Sequence, residues 1–238
     1  MKNKIIITAT ICLLSFASFA QNTNDFFLKA DSFFKEYVVN GKVDYSKINA
    51  DQAQLDEVLS LAEGITVSKN DANVYQAFWI NAYNLSVIKG IMDNYPLNSP
   101  LDKKGFFDKT PHALGGKNIT LNDIENKLLR EAFKDARFHF VLVCGAIGCP
   151  PLISKAYLPK TLNNQMTKQT KVAINGSFLK VNVKKLRVEA SQIMEWYKGD
   201  FTMNGKNEID FINLYRTEKI PADYKLSYFP YNWKTNAL

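Results

Sequence analysis

Between Val74 and Met92 the sequence carries one charge, Lys89. Helical spacing gives one face of Val74, Phe78, Asn81, Leu85, Ile88 and Met92, and an adjacent face of Ala77, Ile80, Asn84, Val87 and Ile91. A helix that is apolar nearly all round cannot lie on a surface, so the rest of the chain must wrap it. That requirement places two carboxamides, Asn81 and Asn84, inside the protein at i, i+3. A buried amide without partners costs about 1–3 kcal/mol. Each is therefore expected to bond to loop backbone, to polar neighbours or to a site. A structural clamp is the plain reading, and an active-site amide is the sharper one.

The flanking segments supply the wrapping. Residues 24–39 repeat Phe26, Phe27, Ala30, Phe33, Phe34 and Tyr37 at helical spacing, and residues 51–63 form a second amphipathic pattern closed by Gly64. Residues 94–116 read as irregular, broken by Pro96, Pro100, Pro111, Gly105, Gly115 and Gly116. Thr120 with Asp123 resembles a capping box opening a helix over 121–133. Glu125 falls at the edge of its inner face. Phe138 to Val143, a short Phe- and Val-rich run, reads as a buried central strand. Residues 157–174 read as a helix, 178–183 and 186–188 as a hairpin, and 208–215 as a last short helix. The expected fold is α+β, a single compact helix-rich domain with a small sheet containing that buried strand near 138–143. Residues 21–70 are expected to form an N-terminal helical cap on a main domain over 71–238.

The N-terminus reads as an address. Lys2 and Lys4 precede an uncharged, mostly apolar run from Ile5 to Phe16, and Ser18-Phe19-Ala20 offers a small-residue cleavage site. This is the pattern of a secretory signal peptide over 1–20. The run is shorter than the ~20 apolar residues a bilayer span needs. The expected product is exported, periplasmic or extracellular, with no transmembrane anchor after cleavage. Loss of two lysines lowers the net charge from +7 to +5. The remaining basic residues do not cluster and accompany no nucleic-acid-binding motif, so no nucleic-acid partner is expected.

Chemistry has few residues to draw on. Beyond the signal there are two cysteines, Cys144 and Cys149, and two histidines, His112 and His139. The cysteines lie in Cys144-Gly145-Ala146-Ile147-Gly148-Cys149-Pro150-Pro151. Three readings stay open. An oxidising compartment and the flexible glycines suit a short disulfide. A Gly-rich loop followed by a rigid Pro-Pro suits a thiolate nucleophile whose base is a neighbouring imidazole. A cycling redox pair is the third, although the spacing is not Cys-x-x-Cys. His139 within an apolar run reads first as a hydrogen-bonded core residue, and His112 as a solvated loop residue. Usual zinc-ligand spacing is absent, and neither a metal nor another cofactor is expected.

Several segments together resemble the domain-of-unknown-function-547 family. They are Ala77-Phe78-Trp79-Ile80-Asn81-Ala82-Tyr83-Asn84, Thr120 to Glu125, Leu129-Arg130, Arg137 to Ala146, and Cys149-Pro150. The likeness runs on through Trp196-Tyr197 and Asp200-Phe201 to Tyr231-Asn232-Trp233, where Asn232 replaces an expected aspartate. The resemblance implies that Asn81, Asn84, Glu125, Arg130, His139, Cys144 and Cys149 form one constellation, without assigning their roles. Fusions of some relatives to glutaredoxin-like domains add weight to a thiol role. The expected function is a thiol-dependent hydrolase or acyl transferase acting on a small-molecule or peptide substrate. Cys149 or Cys144 is the nucleophile and His139 the base, oriented by Glu125 or a buried Asn, with Arg130 in a binding or orienting role. The alternatives are a non-catalytic disulfide-stapled binding module and a thiol–disulfide redox protein.

Overall fold

The computed structural model describes residues 22–238. The expected signal peptide, 1–20, lies outside the described residues. Helix α1 covers 22–37. A two-stranded ribbon follows, β1 (Val38–Val39) with β2 (Lys42–Val43), then α2 (Tyr45–Ala50) and α3 (Ala53–Gly64).

The apolar stretch forms α4, Ala72–Met92, with sixteen of its 21 residues buried. Asp71 starts it by accepting from Val74 N at 3.1 Å. Each Phe, Leu or Ile so buried contributes about 1.5–3 kcal/mol. Phe26, Phe33 and Phe34 of α1, Leu55 and Val58 of α3 and the α4 side chains belong to one hydrophobic core. Phe26 meets Phe78 at a ring distance of 5.1 Å.

The architecture is α+β, helix-rich with small sheets. Residues 111–120, expected to be mostly irregular, instead form an antiparallel hairpin of β3 (Pro111–Leu114) and β4 (Lys117–Thr120). Gly115 and Gly116, both at positive φ, make its turn. Thr120 then caps a continuous helical segment, α5, over 121–133. Its middle, Ile124–Arg130, is π-helical. After α6 (Leu162–Asn175), strands β5 (Leu179–Asn182) and β6 (Arg187–Ser191) pair antiparallel as the expected hairpin. A strand not foreseen, β7 (Lys225–Phe229), pairs parallel to β6. Short helices α7 (Gln192–Trp196), α8 (Lys198–Phe201) and α9 (Glu208–Tyr215) lie between β6 and β7. A second core gathers Phe140, Phe178, Val188, Phe201, Phe211 and Ile212.

One element departs from the expected fold. The run 138–143 is buried but is not a strand: Ala136–Phe140 is a 3₁₀ helix, and no sheet contains it. The reason is where its backbone finds partners. Asn84 Nδ2 donates to Val141 O at 2.9 Å, and Val143 N donates to Asn84 Oδ1 at 2.8 Å. One carboxamide of α4 thus does the work of a neighbouring strand. Asn81 repeats the device one turn earlier, bonding Tyr157 O at 2.8 Å and Tyr157 N at 2.9 Å.

Candidate active site

A cavity of about 430 Å³ opens between the two cores. Cys144, Cys149, His139 and Glu125 all line it. The cysteine loop leaves the Asn84 clamp at Val143 and turns through Gly145, at φ +77°. The C-terminal segment runs beside the loop and holds its backbone. Ile147 N donates to Lys234 O and Gly148 N to Asn232 O, each at 2.8 Å, and Asn236 N donates to Gly145 O at 2.9 Å. Both cysteines are half-buried. Their sulfurs lie at disulfide distance, with Cα atoms 6.5 Å apart.

The polar surroundings of the two sulfurs differ. The Tyr231 hydroxyl touches both, at 2.7 Å from Cys144 Sγ and 2.8 Å from Cys149 Sγ. Cys149 Sγ also accepts from Cys144 N at 3.0 Å. Burial pushes the Tyr231 phenol well up, so it remains a neutral hydroxyl.

His139 is buried, and its ring packs on Tyr197 with centroids 4.2 Å apart. Its Nε2 lies 2.7 Å from Asp200 Oδ2. The Arg130 Nε donates to the same oxygen at 2.7 Å, and Arg130 also bonds Asn126. Burial alone would raise the Asp200 pKa, but hydrogen bonds from His139 and Arg130 outweigh it and hold the group at about 2. The carboxylate that orients His139 is therefore Asp200, not Glu125 and not a buried Asn. Asn81 and Asn84 both spend their amides on backbone, and neither lines the cavity. Arg130 reaches the site through Asp200 and through its guanidinium over the Tyr197 ring, 4.4 Å from the centroid.

Glu125 lines the same cavity, 3.4 Å from the Tyr83 hydroxyl. Burial, and next the Glu125 charge, push the Tyr83 phenol well up; the same two causes raise Tyr197. The phenols stay protonated and face the carboxylate as donors. Glu125 and Arg130 lie five residues apart in the π-helical segment, and both contact Tyr197.

His112 is elsewhere. It lies in β3 with Asp93, Lys103 and Thr110 around a separate cavity of about 200 Å³. It is half-buried rather than solvated, and burial lowers its pKa. Among the described residues, no group of three or more His, Cys, Asp and Glu side chains is arranged to hold a metal ion. No described helix is long and apolar enough to cross a membrane.

The residues that spacing did not single out are Asp200, Tyr231 and the aromatic wall of Phe107, Trp196, Tyr197 and Trp233. The available signal was the family resemblance, which already ran through Trp196-Tyr197, Asp200-Phe201 and Tyr231-Asn232-Trp233.

The chain matches no curated protein and no solved structure. Its residues 67–172 match the family model described as "Protein of unknown function, DUF547". The match contains Asn81, Asn84, Glu125, Arg130, His139, Cys144 and Cys149, while Asp200 and Tyr231 lie beyond it. Over its buried helix, its π-helical segment and its cysteine loop, this chain resembles the DUF547 family.

Proposed function

We propose that the protein is a thiol-dependent hydrolase or acyl transferase with Cys149 as nucleophile and His139 as base. One observation carries the assignment. Cys149 Sγ accepts from Cys144 N and lies 2.8 Å from the Tyr231 hydroxyl, in the cavity that also holds His139. Donors of this kind favour a thiolate over a thiol. Asp200 occupies His139 Nε2, and no described hydrogen bond joins His139 to either sulfur, so proton exchange through Nδ1 runs by way of a water or a closer approach on substrate binding. In the paired state the nucleophile is masked. A dithiol reductant supplies two electrons and two protons, and the S–S bond opens to two thiols. His139 takes the Cys149 proton and the sulfur attacks an acyl carbon. A C–S bond forms, and the leaving group departs with the proton from His139. Water or an acceptor nucleophile then releases the acyl group.

Thiol–disulfide exchange is the second reading, favoured by the single Tyr231 hydroxyl that touches both sulfurs. The two readings separate on reduced protein. An acyl enzyme requires Cys149 to react with iodoacetamide faster than a free thiol near pH 7, and to release a stoichiometric burst from an activated ester. His139→Ala should remove both. A pair that resists mild dithiol, or thiols that react at the free-cysteine rate with and without His139, rejects the nucleophile. Ready reduction and reoxidation without a burst favours exchange.

A further inference from the structure

The cavity holds an unbalanced charge. Asp200 is neutralised by Arg130 and hydrogen-bonded to His139. Glu125 has no such partner: among the described residues no Lys, Arg or His nitrogen lies within 4.0 Å of its carboxylate. Its neighbours are the Tyr83 and Tyr197 phenols, which supply protons for hydrogen bonds but no positive charge.

Much of the rest of the cavity lining is aromatic. Trp233 packs on Trp196 at a ring distance of 5.9 Å, on Tyr231 at 4.7 Å and on Phe107 at 6.3 Å. Trp196 and Tyr231 are 5.3 Å apart, tilted by 50°. Trp196 and Trp233 stack within 27° of parallel, while Tyr231 is tilted by 50° and 58° to them, so the cavity is lined by two ring orientations. Trp196 is 46 % exposed, unusual for a tryptophan already packed on two neighbours. Ring faces attract cations, most strongly when the site is shielded from water.

We infer that this cavity selects substrates carrying an alkylammonium group, held between the Trp196–Trp233–Phe107 wall and Glu125. The inference rests on the reading of the cavity as a substrate site and adds the substrate class. Tyr231 links the two functions. Its ring belongs to the aromatic wall and its hydroxyl touches both sulfurs. A molecule anchored by its cationic head on that wall is thereby placed beside Cys149.

The test is a titration with butyltrimethylammonium and with its uncharged isostere 3,3-dimethylbutyl methyl ether, read by tryptophan fluorescence. Two of the three tryptophans lie in the cavity, and the third, Trp79, is buried in the core. The cation should bind at least about tenfold more tightly than the ether, which corresponds to about 1.4 kcal/mol. Glu125→Gln should remove most of that preference, and Trp196→Ala should weaken the cation. Equal binding of the two probes by the unaltered protein overturns the inference whatever the variants do, as does a preference that survives Glu125→Gln in a folded protein. The titration is repeated on Cys149→Ser, whose cage is intact. Cation selectivity with unreactive thiols would reject the thiol enzyme and keep the cage. Reactive thiols without cation selectivity would reject only the cage.

Discussion

Asn84 Oδ1 accepts a hydrogen bond from Val143 N at 2.8 Å, one residue before Cys144. The buried helix thus sets the start of the cysteine loop through a side chain. Replacing Asn84 by Leu leaves Val141 O and Val143 N buried without partners. Each orphaned group costs about 1–3 kcal/mol, and a chain of this size loses about 2–4 °C in Tm per kcal/mol. Asn84→Leu should lower the melting temperature measured by calorimetry. Asn81→Leu should do the same through Tyr157, and an unchanged Tm in either variant would show that the clamp adds nothing.

Asp200 makes an acid-sensitive contribution. Its folded pKa of about 2 lies below its ordinary carboxylate value because His139 and Arg130 stabilise its charge. A depressed carboxylate pKa stabilises the fold fully above the unfolded value and is lost as pH falls toward the folded one, here between about pH 4 and about pH 2. Because the group is partly exposed, the contribution is about 1 kcal/mol. Urea midpoints of the parent protein should fall across that window more steeply than those of Asp200→Asn. Parallel curves would show that the His139–Asp200–Arg130 contacts are not made.

The same substitution tests the proposed chemistry. Asp200→Asn leaves a side chain of similar shape but removes the charge that fixes the His139 tautomer and supports an imidazolium. Iodoacetamide alkylation of the reduced protein should slow at least about tenfold, with its pH profile moved upward. An unaltered profile would mean that His139 does not take the Cys149 proton.

His112 gives a second pH dependence of the same sign at a higher pH. Its Nε2 is buried without a hydrogen-bond partner among the described residues, and burial lowers its pKa. Its stabilising effect is present above the unfolded histidine value and declines as pH drops below it. Denaturant midpoints should therefore fall from about pH 7 to about pH 5. His112→Phe should flatten that decline, and an identical decline in the variant would assign it to other groups.

Gly148 controls the placement of Tyr231. A Cβ there would lie 2.7 Å from Tyr231 Cδ2 and 2.9 Å from Asn232 N. The tyrosine ring must move, and its hydroxyl leaves the sulfurs. Gly148→Ala and Tyr231→Phe should change the reduction midpoint of the Cys144–Cys149 pair in the same direction, read by dithiol titration. Opposite shifts would show that the hydroxyl is not what links the two residues to the thiols.

The legibility of this protein follows the range of the forces involved. The apolar α4 stretch, the α1 phenylalanines and the 179–191 hairpin were readable because periodicity and turn residues act within a few positions. The 138–143 run misled because burial was legible while its hydrogen-bond partner was 57 residues away in Asn84. Glu125, His139 and both cysteines could be singled out as polar or reactive residues in apolar or Gly-rich surroundings. Asp200 and Tyr231 entered only as residues of the segments that carry the family resemblance, and nothing in their spacing shows that they face His139 and the two sulfurs.

The sequence by itself determined that a helix would be buried, that two amides inside it would need partners, and that Cys144 and Cys149 share one Gly-rich loop. Tertiary structure alone decided that Asn84 replaces a strand neighbour, that Asp200 rather than Glu125 bonds His139, and that Glu125 shares one cavity with aromatic rings and no ion-pair partner among the described residues. Local propensity fixes which groups must be satisfied, whereas the pairing of distant groups depends on how the two cores pack across one cavity.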